Sequence, residues 1–430
     1  MNIKAVLIAI ILLAVEVNCH AARLKVHPDE QAAMDALLNR LNIDEKDIIV
    51  GKNEHQTNYY SDYFDAGVRY FYESDNNFEL SVITNKFEHV SRLRISKTNL
   101  NDLREVEKFT EIVILEITSN NLTNLNGLNK LKKLKKLKIL GNKKLIDIGG
   151  INNLPNLVEI DAVTLKNISI NGMKNLPKLE RFLCDLCLID DLAPLSHLIS
   201  LKILKMGIKQ KKIDLLSSLS GLEVLEIEGV NLEDVNAINR LKKIKTFKIM
   251  NTNVKEIPLS SDLLNLQKIR IGNSPIRKIP DLHKFKNLKH IAIFGSEIGD
   301  VDNIHDMDNL EELFLIRNKN MKKVVNIKNL PNLKQLELEN SPLELFETGD
   351  LPNLEELKLS KTNISKLTNF ENYPSLRRLI INDTKITSLK GIEQAPMLHS
   401  VQADYDVKND PENEKILRSL RKNIFKRKPQ

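Results

Sequence analysis

Two cysteines three residues apart, Cys184 and Cys187 in the segment CDLC, have the spacing of a redox dithiol or of half a zinc site. Structural zinc needs four ligands in a tetrahedron, and the sequence offers no second pair to complete one. The acidic run DVDNIHDMD, Asp300 to Asp308, is rich enough in carboxylates to attract a cation. It lacks the central glycine and the closing glutamate of a calcium loop. Nine histidines are scattered, none in an H-E-x-x-H pair and none beside a plausible Ser or Cys nucleophile. No glycine-rich phosphate loop links a strand to a helix. The expectation is a protein with no catalytic residues, no metal and no cofactor, whose chemistry is recognition.

The surface chemistry points outside the cell. The opening MNIKAVLIAIILLAVEVNCHAA sets one Lys before an apolar run too short to span a bilayer, for which about 18 to 20 residues are needed, so residues 1–21 read as a signal peptide. Four glycosylation sequons follow, at Asn121, Asn167, Asn363 and Asn382. The net charge of +7, from 64 basic and 57 acidic residues, is too mild for a nucleic-acid binder, and aromatics do not interleave with the basic residues. A basic tail holding Lys415, Arg418, Arg421, Lys422, Lys426, Arg427 and Lys428 suits a polyanionic surface. With three cysteines, one of them in the signal, the fold is expected to rely on burial and not on a disulfide framework.

The elements that must position any binding surface emerge from one stretch, EELFLIRN, Glu311 to Asn318. If Leu313 and Leu315 face a core, strand alternation turns Phe314 and Ile316 toward water. The same L-x-L register recurs at Leu93, Leu115, Leu137, Ile160, Phe182, Leu204, Leu225, Phe247, Ile269, Ile291, Leu313, Leu336, Leu357, Leu379 and Val401, in steps of 21 to 23 residues. Such units cannot bury their apolar side alone and must stack. Five residues after each of these positions comes a slot for a small hydrogen-bonding group, as in Asn120, Asn142, Thr252, Ser274, Ser296 and Asn318. Leu165, Lys209 and Val230 depart from it, which predicts irregular loops between residues 165 and 230.

The pattern L-x-x-L-x-L-x-x-N-x-L with short, proline-containing return segments resembles the 22-residue class of leucine-rich repeat proteins found in phosphatase regulators and internalins. The entry EHVSRLRI, the signal and the degenerate repeats are also similar to short secreted leucine-rich immune proteins of insects. The first resemblance implies an α/β solenoid: a right-handed horseshoe of about 15 repeats with a parallel concave sheet and short 3₁₀ or irregular convex segments. The domain layout that follows is a cap over residues 22–86, with a helix at PDEQAAMDALLNRL and tyrosine-rich strands, repeats over 87–408, and a cap helix with basic tail over 409–430.

On the concave face the outward residues form columns in which charges mostly alternate in sign. Two apolar groups interrupt them. One is Leu140, Val163, Leu183, Ile203 and Val224; the other is Ala292, Phe294, Phe314 and Ile316, flanked by Lys268, Arg270 and His290 on one side and Glu337 and Glu339 on the other. An apolar centre with a charged rim is the pattern of an interface hot spot. The reading is a secreted scaffold that binds an extracellular protein through this face, in defence or extracellular signalling. The alternative is polyanion or cell-surface binding through the basic exterior and tail.

Overall fold

A computed structural model describes residues 26–44, 49–51, 69–74, 77–84, 87–163, 167–302 and 304–425. Residues 1–21, read above as a signal peptide, most of the tyrosine-rich stretch and the tail residues Lys426, Arg427 and Lys428 lie outside them. The chain divides into two compact units, residues 1–201 and 202–430.

The first unit opens with helix α1 (Pro28–Leu41), which starts on a proline and stops where Asn42 turns left-handed. Met34, Leu37, Leu38 and Leu41 form its buried stripe. Arg40 ties it to Asp102 (2.9 Å) and Glu105, and the buried Glu30 accepts a 2.8 Å bond from the Val90 amide. Four strands then pair antiparallel: β1 (Ile49–Gly51), β2 (Arg69–Ser74), β3 (Asn77–Thr84) and β4 (Val90–Ser96). From β4 onward pairing is parallel through β5 (Ile114–Thr118), β6 (Lys136–Lys138), β7 (Glu159–Asp161) and β8 (Arg181–Ile189).

The second unit runs parallel through β9 (Ile203–Ile208), β10 (Val224–Glu228), β11 (Thr246–Met250), β12 (Lys268–Gly272), β13 (His290–Phe294) and β14 (Glu312–Ile316). It continues through β16 (Gln335–Glu337), β18 (Glu356–Lys358), β19 (Arg378–Ile380) and β20 (Ser400–Gln402). A separate parallel pair, β15 (Lys323–Ile327) and β17 (Leu345–Thr348), forms within the return segments. Helices α2 (Tyr405–Asn409) and α3 (Pro411–Phe425) follow the last strand, fixed by buried Asn413, which bonds Leu389, Thr387 and Val407 backbone groups.

The register of pairing is the register of the repeat. Leu93, Leu115, Leu137, Ile160 and Phe182 face one another strand to strand in the first unit, and Leu204 through Val401 do so in the second. All are buried except the half-buried Val401 on the last strand. Each unit is therefore a leucine-type stack with little helix, the return legs being short 3₁₀ turns such as Val106–Lys108 and Asn236–Arg240.

Polar side chains settle the backbone at each turn. Asn120 receives the Thr98 and Leu100 amides at 2.9 and 3.1 Å and donates to the Ile95 and Thr118 carbonyls at 3.0 Å. Asn318 likewise accepts the Ser296 amide and donates to the Ile293 carbonyl, while Asn142 only donates, to the Ile117 and Ile139 carbonyls. The residue just before the slot is left-handed in repeat after repeat: Lys97, Ser119, Gly141 and Leu186 in the first unit, and Asn251, Asn273, Gly295, Arg317, Asn340, Lys361 and Asp383 in the second. A second asparagine ladder runs along the return legs, where Asn265, Asn287, Asn309, Asn332 and Asn353 each donate to a carbonyl one repeat earlier at 2.7 to 2.9 Å.

The expected irregular loops take a different form. Lys209 and Val230 point to solvent because the inward position falls one residue earlier, on buried Ile208 and Gly229. An apolar side chain and a glycine need no hydrogen-bond partner there. Gly229 has no room for more, since an added Cβ would fall 2.6 Å from the Ile208 carbonyl oxygen. Leu165 lies outside the described residues.

Candidate interface on the sheet face

Strand pairing in the second unit brings the flagged residues of β12 to β16 into three rows across the sheet. Lys268, His290 and Glu312 form the first; Arg270, Ala292, Phe314 and Glu337 the second; Gly272, Phe294 and Ile316 the third. Met250 joins the third row beside Gly272. Leu313 and Leu315 are fully buried, whereas Ala292, Phe294, Phe314 and Ile316 are half-buried on the opposite face. Alternation thus holds in EELFLIRN, and its outward members are apolar.

The Phe294 ring lies down on the sheet because Gly272 leaves it space. A Cβ at residue 272 would collide with ring atoms Cε2 and Cζ and sit 2.7 Å from Met250 Cε. The guanidinium of Arg270 stacks above the ring, 5.2 Å from its centroid. The result is an apolar strip, Met250–Phe294–Ile316, with Ala292 and Phe314 alongside. Met250 and Gly272 were not foreseen from sequence; their signal was present, because each occupies the register position of Phe294 on its own strand.

Charges around the strip are unequally satisfied. Lys205 and Lys248 converge on Glu226 at 2.8 and 2.9 Å. Burial pushes the Glu226 carboxyl upward, but the two lysine hydrogen bonds outweigh it and hold the group below its ordinary range. Glu337 is engaged by Lys358, and Glu356 by Arg378 at 3.2 Å. His290 Nδ1 comes within 2.9 Å of Glu312 but outside hydrogen-bonding direction. Among the described residues, Lys268 and Arg270 are the basic side chains on this unit's main sheet, strands β9 to β14, β16 and β18 to β20, that face outward without a carboxylate partner.

The residues of the other apolar group are divided between the two units. In the first unit Leu183 stands opposite Asp161, in a different row from Leu140 and Val163. In the second, Ile203 and Val224 are paired directly. All five are half-buried.

The remaining candidates resolve into structure. Cys184 and Cys187 are fully buried and joined by a disulfide, with both sulfurs near the Ala162 carbonyl. The chain thus carries one local crosslink where burial alone was expected. No group of three or more metal-ligating side chains occurs among the described residues. Asp300 accepts the Lys323 amide and Asp306 the Asn329 amide group, so these acids tie adjacent return legs together. Of the tail cations, Lys415 and Arg418 pair with Glu412 and Glu414 on α3. Asn167 is the most exposed sequon asparagine; Asn363 and Asn382 are half-buried, and Asn121 donates its amide to Asn99 at 3.0 Å. No helix among the described residues is long and apolar enough to cross a membrane.

Comparison with known structures decides the fold. An internalin of Listeria monocytogenes is similar over 74% of this chain and 89% of its own, at 20% identity and a TM-score of 0.56. A leucine-rich repeat protein of Leptospira interrogans matches 73% of this chain and 83% of its own, at 22% identity and a TM-score of 0.59. The chain has the leucine-rich repeat fold. A third relative in shape is the leucine-rich repeat ectodomain of the plant membrane receptor kinase GASSHO1/SCHENGEN3 from Arabidopsis thaliana, solved in complex with Casparian strip integrity factor 2. It matches at 17% identity and a TM-score of 0.51, over 77% of this chain and 50% of its own. No protein-family model and no curated protein matches the sequence. At these identities the likeness speaks for the leucine-rich repeat fold alone.

Proposed function

We propose that this leucine-rich repeat protein is a secreted, non-enzymatic scaffold that captures an extracellular protein on the outward face of β11 to β14. The observation that carries the reading is the apolar strip of Met250, Phe294 and Ile316 with Ala292 and Phe314, left half-open between the ion pairs Lys205–Glu226–Lys248 and Lys358–Glu337. Paired charges hold their own solvent and leave little to gain from a partner, whereas each aromatic ring covered by one contributes burial at about 25 cal/mol per Å². A sheet whose return legs are tied by an asparagine ladder and whose turns are bonded through Ser274 and Asn318 needs little further backbone ordering on association. The receptor ectodomain solved with its protein ligand is a precedent for the same fold used this way. The signal-like start and the sequons support secretion and glycosylation, in a defence or signalling setting.

The test is capture from the extracellular fluid with the intact protein and with Phe294→Ser/Phe314→Ser. Loss of a specific retained protein in the double variant is the expected result. Retention that is unaffected by the variant yet lost steeply with salt would replace this reading with polyanion binding through the basic surface.

A further inference from the structure

The two flanks of the apolar strip differ in a way that selects the partner's charge. Of the carboxylates on the β16 side, Glu337 belongs to Lys358, whereas Glu339 has no ion pair among the described residues. The cations on the β12 side are idle. Among the described residues Lys268 and Arg270 have no carboxylate and no hydrogen bond, although Lys205, Lys248, Lys358 and Arg378 on the same unit's strands all have one. Their strand neighbours supply no compensation, because Lys268 faces Thr246 and His290 while Arg270 faces Lys248 and Ala292.

Arg270 is also held in place. Its guanidinium carbon lies over the Phe294 ring, 5.2 Å from the centroid, and its donors make no hydrogen bond among the described residues, so a carboxylate can take them as a fork. A neutral or basic group brought onto the strip would bury this charge unanswered, which costs more than the apolar contact returns. A carboxylate brought with an apolar side chain answers both demands at once.

Resting on the reading that this face binds protein, we infer that its occupant is an acidic-apolar segment of the partner chain. An aromatic or branched aliphatic side chain lies on Phe294, Phe314 and Ile316, and a neighbouring Asp or Glu pairs with Arg270 and Lys268. On the far flank Glu337 is already held by Lys358, which leaves Glu339 as the carboxylate there without an ion pair among the described residues.

The experiment is selection of a random displayed-peptide library on the full-length protein, with counter-selection on Phe294→Ser/Phe314→Ser. Winners are then made as synthetic peptides and titrated by fluorescence anisotropy. Winners should place Asp or Glu within a few residues of Phe, Tyr, Leu or Ile, and lose about tenfold or more in affinity on Lys268→Gln/Arg270→Gln. Selection on Lys268→Glu/Arg270→Glu should turn the enriched charge basic. Arg270→Lys keeps the charge but not the fork and should weaken binding by less than the glutamine pair does. Winners that need the two phenylalanines but are neutral or basic, or ignore the glutamine pair, overturn the inference and leave the binding face standing. Absence of any winner that depends on Phe294 and Phe314 overturns both. Heparin held by the two cations with equal affinity when the phenylalanines are serine would show a polyanion site and also end the inference.

Discussion

Two adjacent asparagines, Asn120 and Asn121, separate the structural logic of the repeat from mere composition. Asn120 is 4% exposed and satisfies the Thr98 and Leu100 amides and the Ile95 and Thr118 carbonyls. Asn121 is half-buried and its side chain makes one bond, to Asn99. Replacing Asn120 with Ala removes the acceptor of two turn amides, and a buried amide left without one costs about 1 to 3 kcal/mol, so the expected loss is about 2 to 6 kcal/mol. Replacing Asn121 with Ala should cost no more than about 0.5 kcal/mol. Stacked repeats need not unfold in one step, so the readout is amide hydrogen exchange resolved by segment together with chemical denaturation. Protection should fall for the turn at residues 96–101 in Asn120→Ala and stay at the wild-type level in Asn121→Ala. Equal effects of the two substitutions would refute the claim that the inward asparagine holds the turn.

Further outcomes follow from the site and the cap. Gly272→Ala should lift the Phe294 ring off the sheet, because the new methyl overlaps it and crowds Met250; partner affinity should drop while stability changes by about 1 to 3 kcal/mol, and unchanged affinity would count against the strip as built. Hydrogen bonds from Arg104 first and Arg40 next hold the Asp102 carboxyl far below its ordinary range. A depressed folded-state pKa means the stabilisation is present above the unfolded value near about 4 and is lost as pH falls toward the folded one. Exchange protection of α1 should therefore weaken in strong acid, and Asp102→Asn should remove that part of the pH dependence; equal acid sensitivity in the variant would show that Asp102 is not the group responsible.

The stack was legible in the sequence because burial imposes it on every repeat: a 22-residue return of Leu, Ile or Phe is what the pairing register requires, from Leu93 onward. The alternation in EELFLIRN likewise followed from strand geometry. Other features were hidden for physical reasons. The left-handed residue before most of the slots is a backbone property carried by types as different as Gly295, Arg317 and Lys361, so no composition marks it. Asn287 and Asn309 look like ordinary loop asparagines until the preceding return leg is beside them. Cys184 takes the inward register of its strand and Cys187 the slot position, which buries both, but spacing alone could not say that they bond. The rim of the candidate interface was read as two charged flanks of equal standing. Only the side-chain pairing shows that Lys358 occupies Glu337 while Arg270 is left stacked on Phe294.

The central claim, that Phe294 and Phe314 are there for a partner and not for the core, is tested most directly by measuring thermal stability and partner retention on one preparation of Phe294→Ser/Phe314→Ser. The account predicts that retention disappears while the melting temperature stays within about 4 °C of the parent, since the rings are half-open and the residues beneath them, Leu313 and Leu315, are untouched. Retention at the parent level, or a collapse of the melting temperature, would contradict it.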